Sequence, residues 1–544
     1  MKPTPEQQAI IDASGKIIKG IAFAGAGKTS TFIARAEAHP ERSLYLCFNK
    51  SVQQEAERKF PANVTCMTQH SMAHRAIVAK RGYNGIKYTN IGKLFLKPIA
   101  TKFRIDYYMT GLVQKTVENF CNSADDALTS IHAQPDVIGR YNRDVTSEVT
   151  AYAKQVWDVM ISGKDPANFP MTHGGYLKLF QLTSPNLGYP VVMLDEAQDT
   201  NPVVQDIVLK QAEFGSQVIL TGDPYQQIYA WRGAVDALGK IEGDTYYLTQ
   251  SFRFGSGVAD CANAILNEFF GEERKIVGLG KQSGIYSETR NVPFKKYTYL
   301  SRTNAFLFGE ASRLATAGGV RVYAPGGGQN GELPLFQAIT DVFALYQGRK
   351  FDIRNDFDLR SFDCYKSFTD FVATGMADAE WTISAAMIQK YGEGIPEQIS
   401  KIRKSLVSDE SQADVTLVTA HRSKGLEWDN VVLGIDYAEM FGEDGEVLPI
   451  GDNRKTQISA DEVNLLYVAA TRAKQNLVLN GGLTMLLAHR GDKIEVKDAA
   501  QVPPQAAAPA VTEVADDSSE TDHVSDSVAD EEAASMSGVE VSDF

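Results

Sequence analysis

The chain has 544 residues, 43% of them apolar and 22% charged, which suits several soluble globular domains and excludes a chain that is fibrous or unfolded throughout. No apolar run approaches the roughly 20 residues of a membrane span, and the opening MKPTPEQQ has no signal-peptide core, so no membrane partner is expected. The net charge of −14 does not exclude nucleic acid: 12 Asp and Glu follow Lys497 with no Lys or Arg among them, which leaves residues 1–497 at −2.

Residues 4–11, TPEQQAII, predict a helix that Thr4 can cap, with Pro5 in the first turn and Ile10 and Ile11 as anchors. Residues 16–23 read as a buried strand that runs into AFAGAGKTS, and 30–38 can then form a helix. Glycines in such a loop let backbone N–H groups converge on phosphate oxygens, and the helix start adds positive potential. Ala24, Gly25, Ala26, Gly27 and Ser30 lie in that cradle; Lys28 would reach the terminal phosphates and Thr29 would ligate magnesium. Ala22 stands where the usual pattern has its first glycine.

Residues 43–48 form another predicted strand, ending in Asn49-Lys50, and 63–67 a third, ending in Thr68-Gln69-His70-Ser71. In a doubly wound sheet those ends lie beside the phosphate loop, although His70 alone equally suits a structural histidine. From 77 to 176 longer amphipathic stretches replace the β pattern, which predicts a mainly helical insertion.

The stretch from 191 to 233 is the centre of the chain. Two short apolar runs, 191–194 and 217–220, each stop at acidic residues: Asp195-Glu196 after the first, Gly222-Asp223 after the second. Gln226, Tyr229, Trp231 and Arg232 follow closely. Buried parallel strands that end this way carry chemistry at their C-terminal ends. Carboxylates, an amide, aromatics and a guanidinium together couple phosphate chemistry to something that stacks on rings.

Residues 245–249 read as the next strand, with Gln250, Phe252 and Arg253 after it, and 258–270 as a helix. A second sheet is expected to start at 297–300 and to end in Ser301-Arg302-Thr303-Asn304. A glycine-rich turn at 325–328 opens a second insertion, about 330–412. Strands at 415–419 and 431–435, a helix over 460–473 and a strand at 476–479 complete the pattern. The five cysteines are scattered, with no Cys-x-x-Cys pair, and read as free thiols.

In chain order, TPEQQ, AGAGKT, TQHSM, LDEAQDT, GDPYQQIYAWRGA, LTQSFR, LSRTNA, TAHRSKGLEW and LLYVAATRAK resemble the UvrD/PcrA/Rep branch of the superfamily-1 DNA helicases. The compact size and the TPEQQAII and AATRAK wording are similar to the helicase part of the F-box DNA helicases. The resemblance spans about residues 4 to 480 and implies an α/β fold of two tandem RecA-like P-loop domains with ATP between them. The expected boundaries are 1–76 with 177–256 for the first domain and 77–176 for its helical insertion. Residues 257–329 with 413–497 form the second, 330–412 its small insertion, and 498–544 a disordered acidic tail. The resemblance implies 3′→5′ movement on single-stranded or forked DNA with ATP and magnesium as cofactors. It makes Gln7 the amide that reads adenine, Phe252 the ring stacked on it, and Asp195 the magnesium holder. Glu196 becomes the base for the attacking water, Gln226 the sensor of the terminal phosphate, and Arg253 and Arg472 the arginine fingers. Gly425 and Glu427 fall in the motif near the ribose. Phe48, His70, Tyr229, Trp231, Arg232, Thr419, His421 and Arg422 would face DNA. Here Cys47 stands where the family has an aromatic, and Phe48 either takes its place or is buried.

Phosphoryl transfer depends on positioning and charge neutralisation, so adjacent carboxylates can divide metal and water between them. Aromatics at 229 and 231 would stack on any base, as a motor needs. The resulting expectation is an ATP-driven helicase and single-strand translocase in replication, repair or recombination. It would act in the cytoplasm, a host's if the chain is viral, and in a nucleus only if it is eukaryotic. A translocase that strips single-strand-binding or recombinase proteins, and a P-loop switch that acts on a protein without nucleic acid, are the rival readings. The acidic tail, ending GVEVSDF, is read as a solubilising segment or a docking site for a protein partner.

Overall fold

The Val-, Ile- and Leu-rich runs form parallel sheets in the computed structural model, which describes residues 2–80, 84–228, 237–289, 292–326, 333, 335–354, 356, 358–453, 456–491 and 494–497. The acidic tail expected at 498–544 lies outside the described residues. The chain divides into two compact units, one built from residues up to 22, 27–248 and 356–377, the other from 23–26, 249–355 and 378 onward.

The first unit holds β1 (Ile17–Ala22), β2 (Ser43–Cys47), β3 (Val64–Thr68), β4 (Val191–Leu194), β5 (Gln217–Gly222) and β6 (Asp244–Leu248). They lie in the order β3-β2-β4-β5-β1-β6 with every pair parallel, so all six C-terminal ends share one edge. The chain leaves β1 by the helix Lys28–Ala38 and re-enters the sheet three strands away, beyond β5 and β4. Such a switch point opens a crevice at the strand ends, where ligands of open α/β sheets bind. Every residue of β2 is buried, because helices cover both faces of a parallel sheet.

The opening helix, Pro5–Asp12, starts with a capping box between Thr4 and Gln7. Its far end is tied down by buried Arg35, whose guanidinium donates to the carbonyls of Ile10 (2.8 Å) and Ala13 (2.9 Å). Helices Leu96–Phe103, Tyr107–Asn122, Thr146–Ser162 and His173–Leu182, the last running past the expected end of the insertion, share one apolar core with the sheet. Lys178, fully buried, donates to the carbonyls of Ser123 (3.1 Å) and Asp125 at the end of Tyr107–Asn122, with its ammonium 4.5 Å over the Phe120 ring. Burial pushes that ammonium down to about 8.

The segment 356–377 completes this unit from far along the chain. No side chain of its own caps the helix Leu96–Phe103; Asp358 does so instead, accepting from the N–H groups of Leu96 (2.9 Å) and Lys97 (3.2 Å). The Phe362 ring packs 5.2 Å from that of Tyr107. Gly111 admits Met376, whose Cβ would lie 3.0 Å from any Cβ placed there.

In the second unit, β7 (Gln250–Ser251) pairs with β8 (Val277–Gly278). A seven-stranded sheet is built from β9 (Gly284–Tyr286), β10 (Tyr297–Ser301), β11 (Val322–Tyr323), β12 (Val415–Thr419), β13 (Trp428–Leu433), β14 (Ala473–Val478) and β15 (Val496–Lys497). Its order is β11-β12-β10-β13-β14-β9-β15, again all parallel. Several elements differ from expectation. The last long helix, Ala460–Ala470, stops three residues early, where the Thr471 hydroxyl bonds back to the carbonyls of Tyr467 and Val468, and Ala473 already belongs to β14. Strand β13 begins at Trp428 and ends before Ile435, which is 75% exposed. The sheet also includes β9, ahead of the strand expected to be first. All five cysteines are free thiols, and no described helix is long and apolar enough to cross a membrane.

Candidate functional site

The first unit gathers its polar groups where β1, β4 and β5 end. Gly27, at φ 78°, takes a left-handed conformation that turns the chain into the helix Lys28–Ala38 and leaves its first N–H groups without a side-chain cap. Lys28 Nζ lies 3.1 Å from Glu196 Oε1. Burial alone would depress this ammonium, but Glu196, Asp195 and Asp223 outweigh it and hold its pKa above the usual lysine value. Ser30 is exposed in the same turn.

Asp195, 4% exposed, is held on both oxygens. Oδ1 accepts from the Glu196 N–H (2.9 Å) and the Thr221 hydroxyl (3.2 Å); Oδ2 accepts from the Tyr45 hydroxyl (2.6 Å) and the Thr29 hydroxyl (3.4 Å). Burial, with the nearby Glu196 carboxylate, raises the Asp195 carboxyl above its ordinary range. Glu196 sits at φ 51°, ψ 45°, a left-handed conformation rare outside glycine. Gln198 donates to Glu196 Oε2 (2.6 Å) and accepts from the Asp223 N–H (3.1 Å), which joins the ends of β4 and β5. Gly222 makes room for it, since a Cβ there would lie 2.2 Å from Gln198 Oε1. Gln226, 4% exposed, donates to Asp223 Oδ2 (2.6 Å).

One ammonium among three carboxylates leaves a local excess of negative charge that a cation would neutralise. The oxygen donors of Thr29 and Asp195 fit magnesium, which takes one or two carboxylates, waters and substrate phosphates rather than an all-protein cage. Among the described residues no group of three or more His, Cys, Asp and Glu is placed to hold a metal alone. Gln7, 7% exposed, spends its side-chain oxygen on the Thr4 N–H (3.0 Å). Phe48 is half-buried. His70 is exposed at the end of β3, its ring edge-on to those of His173 (5.9 Å) and Tyr176 (5.8 Å). Tyr229, Trp231 and Arg232 lie outside the described residues.

In the second unit the residues 23–26 meet the segment after β7. Phe252, 37% exposed, donates its N–H to the Gly25 carbonyl (3.0 Å), and the Ala24 N–H donates to the Tyr467 hydroxyl (3.1 Å). Gly25, at φ 75°, has no room for a side chain: a Cβ would lie 2.7 Å from Arg253 Cβ. Ala26 is buried. Arg253 pairs with Glu427 (2.7 Å) and donates to the Thr471 carbonyl (3.1 Å). Arg472 is only 1% exposed, and its guanidinium donates to the carbonyls of Val468 (2.8 Å) and Leu426 (3.3 Å) and to the Thr471 hydroxyl (3.2 Å). Both arginines therefore converge on Thr471. Gly425 takes φ 83° in the turn before Glu427. Thr419 is buried, its hydroxyl accepting from the Arg422 N–H (3.4 Å), and His421 is half-buried beside it. A Cβ at Gly326 would lie 3.1 Å from an Arg422 guanidinium nitrogen.

Sequence reasoning passed over Tyr45, Thr221 and Tyr467. Their signal is weak, because a Tyr or Thr inside an apolar run reads as core. Only the alternation along β2, which puts Tyr45 and Cys47 on one face, hints at a shared direction.

Family models match in two places. Residues 182–239 match the UvrD/REP helicase N-terminal domain, and 388–481 match the UvrD-like helicase C-terminal domain. The first range contains Asp195, Glu196 and Gln226; the second contains Glu427 and Arg472. F-box DNA helicase 1 of Gallus gallus is 34% identical over 534 residues, covering 90% of this chain and 50% of that protein. F-box DNA helicase protein 1 of Schizosaccharomyces pombe is 30% identical over 542 residues, covering 89% of this chain and 58% of that protein. ATP-dependent DNA helicase PcrA of Staphylococcus aureus is 25% identical over 309 residues, covering 51% of this chain and 41% of that protein. The chain thus spans about half the length of these two F-box DNA helicases.

Proposed function

We propose that the chain, two stretches of which match UvrD-like helicase domains, is a UvrD-like helicase that hydrolyses ATP with magnesium to move along single-stranded DNA and part a duplex ahead of it. The observation that carries this reading is the set of Lys28, Thr29, Asp195 and Glu196 within bonding reach at one edge of a parallel sheet. Lys28 would bind the terminal phosphates. Thr29 and Asp195 would hold magnesium, which neutralises phosphate charge when bound. A phosphate competes with Glu196 for the Lys28 ammonium, so ATP binding would release Glu196 to orient and deprotonate a water. Gln226, bonded to Asp223, would sense the terminal phosphate.

Gln7 and Phe252 would take the adenine, and Glu427 the ribose. For Arg253 and Arg472 to act on phosphate, each must exchange a present partner, Glu427 for one and the Val468 and Leu426 carbonyls for the other. Tyr229, Trp231 and Arg232 would grip single-stranded bases, with Phe48, His70, Thr419, His421 and Arg422 along the strand. Movement would run 3′→5′, with forked DNA as substrate and single-strand-binding or recombinase proteins as partners in the cytoplasm.

The test compares ATP hydrolysis with and without single-stranded DNA for the wild type, Glu196→Gln and Trp231→Ala. Strong stimulation of the wild type, a Glu196→Gln variant that binds ATP without turnover, and loss of stimulation in Trp231→Ala are expected. Hydrolysis indifferent to DNA in every variant would defeat the motor reading and favour a switch acting on protein. Unwinding of 3′-tailed against 5′-tailed duplexes tests the polarity.

A further inference from the structure

We propose that Tyr45 is a positioning residue for the magnesium-holding carboxylate, fixing Asp195 through its phenol. The inference rests on the reading of Asp195 and Thr29 as the metal site. Strands β2 and β4 run parallel with Leu46 opposite Leu194, and the Asp195 N–H continues the ladder by donating to the Leu46 carbonyl at 3.0 Å. Side chains alternate along a strand, so Tyr45 points to the face that Asp195 uses, and its hydroxyl reaches Oδ2 at 2.6 Å. A phenol can donate and an ionised carboxylate can only accept, so the proton in this bond is Tyr45's.

The ring has little freedom. Tyr45 is fully buried, edge-on to Phe32 (centroids 5.9 Å, 76° between planes) and tilted against Phe60 (4.6 Å, 36°). Phe32 belongs to the helix that begins at Lys28 and Thr29, so one packed unit fixes both the phenol and the metal-binding hydroxyl. Thr29 approaches the same oxygen, Oδ2, that Tyr45 holds, while Oδ1 is fixed separately by Thr221 and the Glu196 N–H. The carboxylate therefore cannot turn without breaking a bond at each end. Partners of this kind orient a ligand before the metal arrives, and losing one typically weakens metal affinity about 10–100-fold. A phenylalanine would fill the same space and leave Oδ2 without its shortest donor.

The experiment measures binding of a non-hydrolysable ATP analogue by calorimetry, in EDTA and across a MgCl2 titration, for the wild type, Tyr45→Phe, Phe32→Leu and Asp195→Asn. Tyr45→Phe is expected to match the wild type in EDTA and to need about tenfold more magnesium for half-maximal enhancement. Phe32→Leu, which loosens the ring's pocket and keeps the hydroxyl, is expected to melt at lower temperature with a wild-type magnesium requirement. Asp195→Asn should lose the enhancement. If Tyr45→Phe keeps the wild-type requirement, or if Phe32→Leu shifts it as far, the role of the phenol is overturned while the site reading stands. If magnesium enhances nothing in the wild type, or Asp195→Asn responds normally, the site reading itself fails and takes the inference with it.

Discussion

Glu196 combines two demands that conflict. Its carboxylate must lie beside Lys28 and Gln198, and its backbone must turn at φ 51° to bring it there. A side chain in that region costs roughly 1–2 kcal/mol, a cost glycine does not carry. Glu196→Gly should therefore be more stable than Glu196→Ala by about 1 kcal/mol, although both lose the same carboxylate and both should be inactive. Urea unfolding of the pair measures the difference, and an alanine variant as stable as the glycine one would remove the strain argument. The chemistry at this scale is legible in the sequence because its residues are neighbours in the chain: Lys28 with Thr29, Asp195 with Glu196. What these residues lean on is not. Tyr45 reaches Asp195 from the neighbouring strand, and Arg472 is buried against the end of the preceding helix, facts that depend on packing rather than order.

Elements follow the same rule. Short apolar runs with clear ends mark the inner strands, and pattern and capping mark the helices expected at 4–11, 30–38, 258–270 and 460–473, whereas the separate helices within the two insertions are not individually legible. The two- and three-residue strands β7, β8, β9, β11 and β15 are too short for any periodicity and exist because a neighbouring strand offers its edge. Nor does sequence near 96 reveal what starts its helix, since the cap comes from Asp358. Asp358→Ala should cost about 1–2 kcal/mol and raise amide exchange first within Leu96–Phe103; unchanged exchange there would mean that the cap is not Asp358's work. Lys178 sets a pH dependence at the end of the helix Tyr107–Asn122. A lysine ordinarily titrates near 10.5, and burial holds this one near 8. Between those values the unfolded chain keeps a proton that the folded one has released, so stability rises with pH across that window, and the full penalty applies below it. Lys178→Met should flatten this rise in melts taken from pH 7.5 to 10; an unaltered slope would assign it to other groups.

For the whole molecule, charge is the property that sequence states most directly. The 12 acidic residues after Lys497 account for most of the net −14. A chain ending at Lys497 should bind single-stranded DNA several-fold more tightly at low salt, with the gap closing as ionic strength rises. Fluorescence anisotropy with a labelled oligonucleotide measures it, and equal affinities at low salt would show that the tail's charge does not reach the DNA.

The cap that Asp358 places on Leu96–Phe103 also sets a clock for synthesis. The two partners are 262 residues apart. A ribosome adding about 5–20 residues per second needs about 13–50 s to travel that distance. For that interval the nascent helix has emerged with its first N–H groups uncapped and the Tyr107 ring without Phe362. The N-terminal unit therefore cannot reach its final form by folding in the order it is made, since segment 356–377 completes it only after that interval.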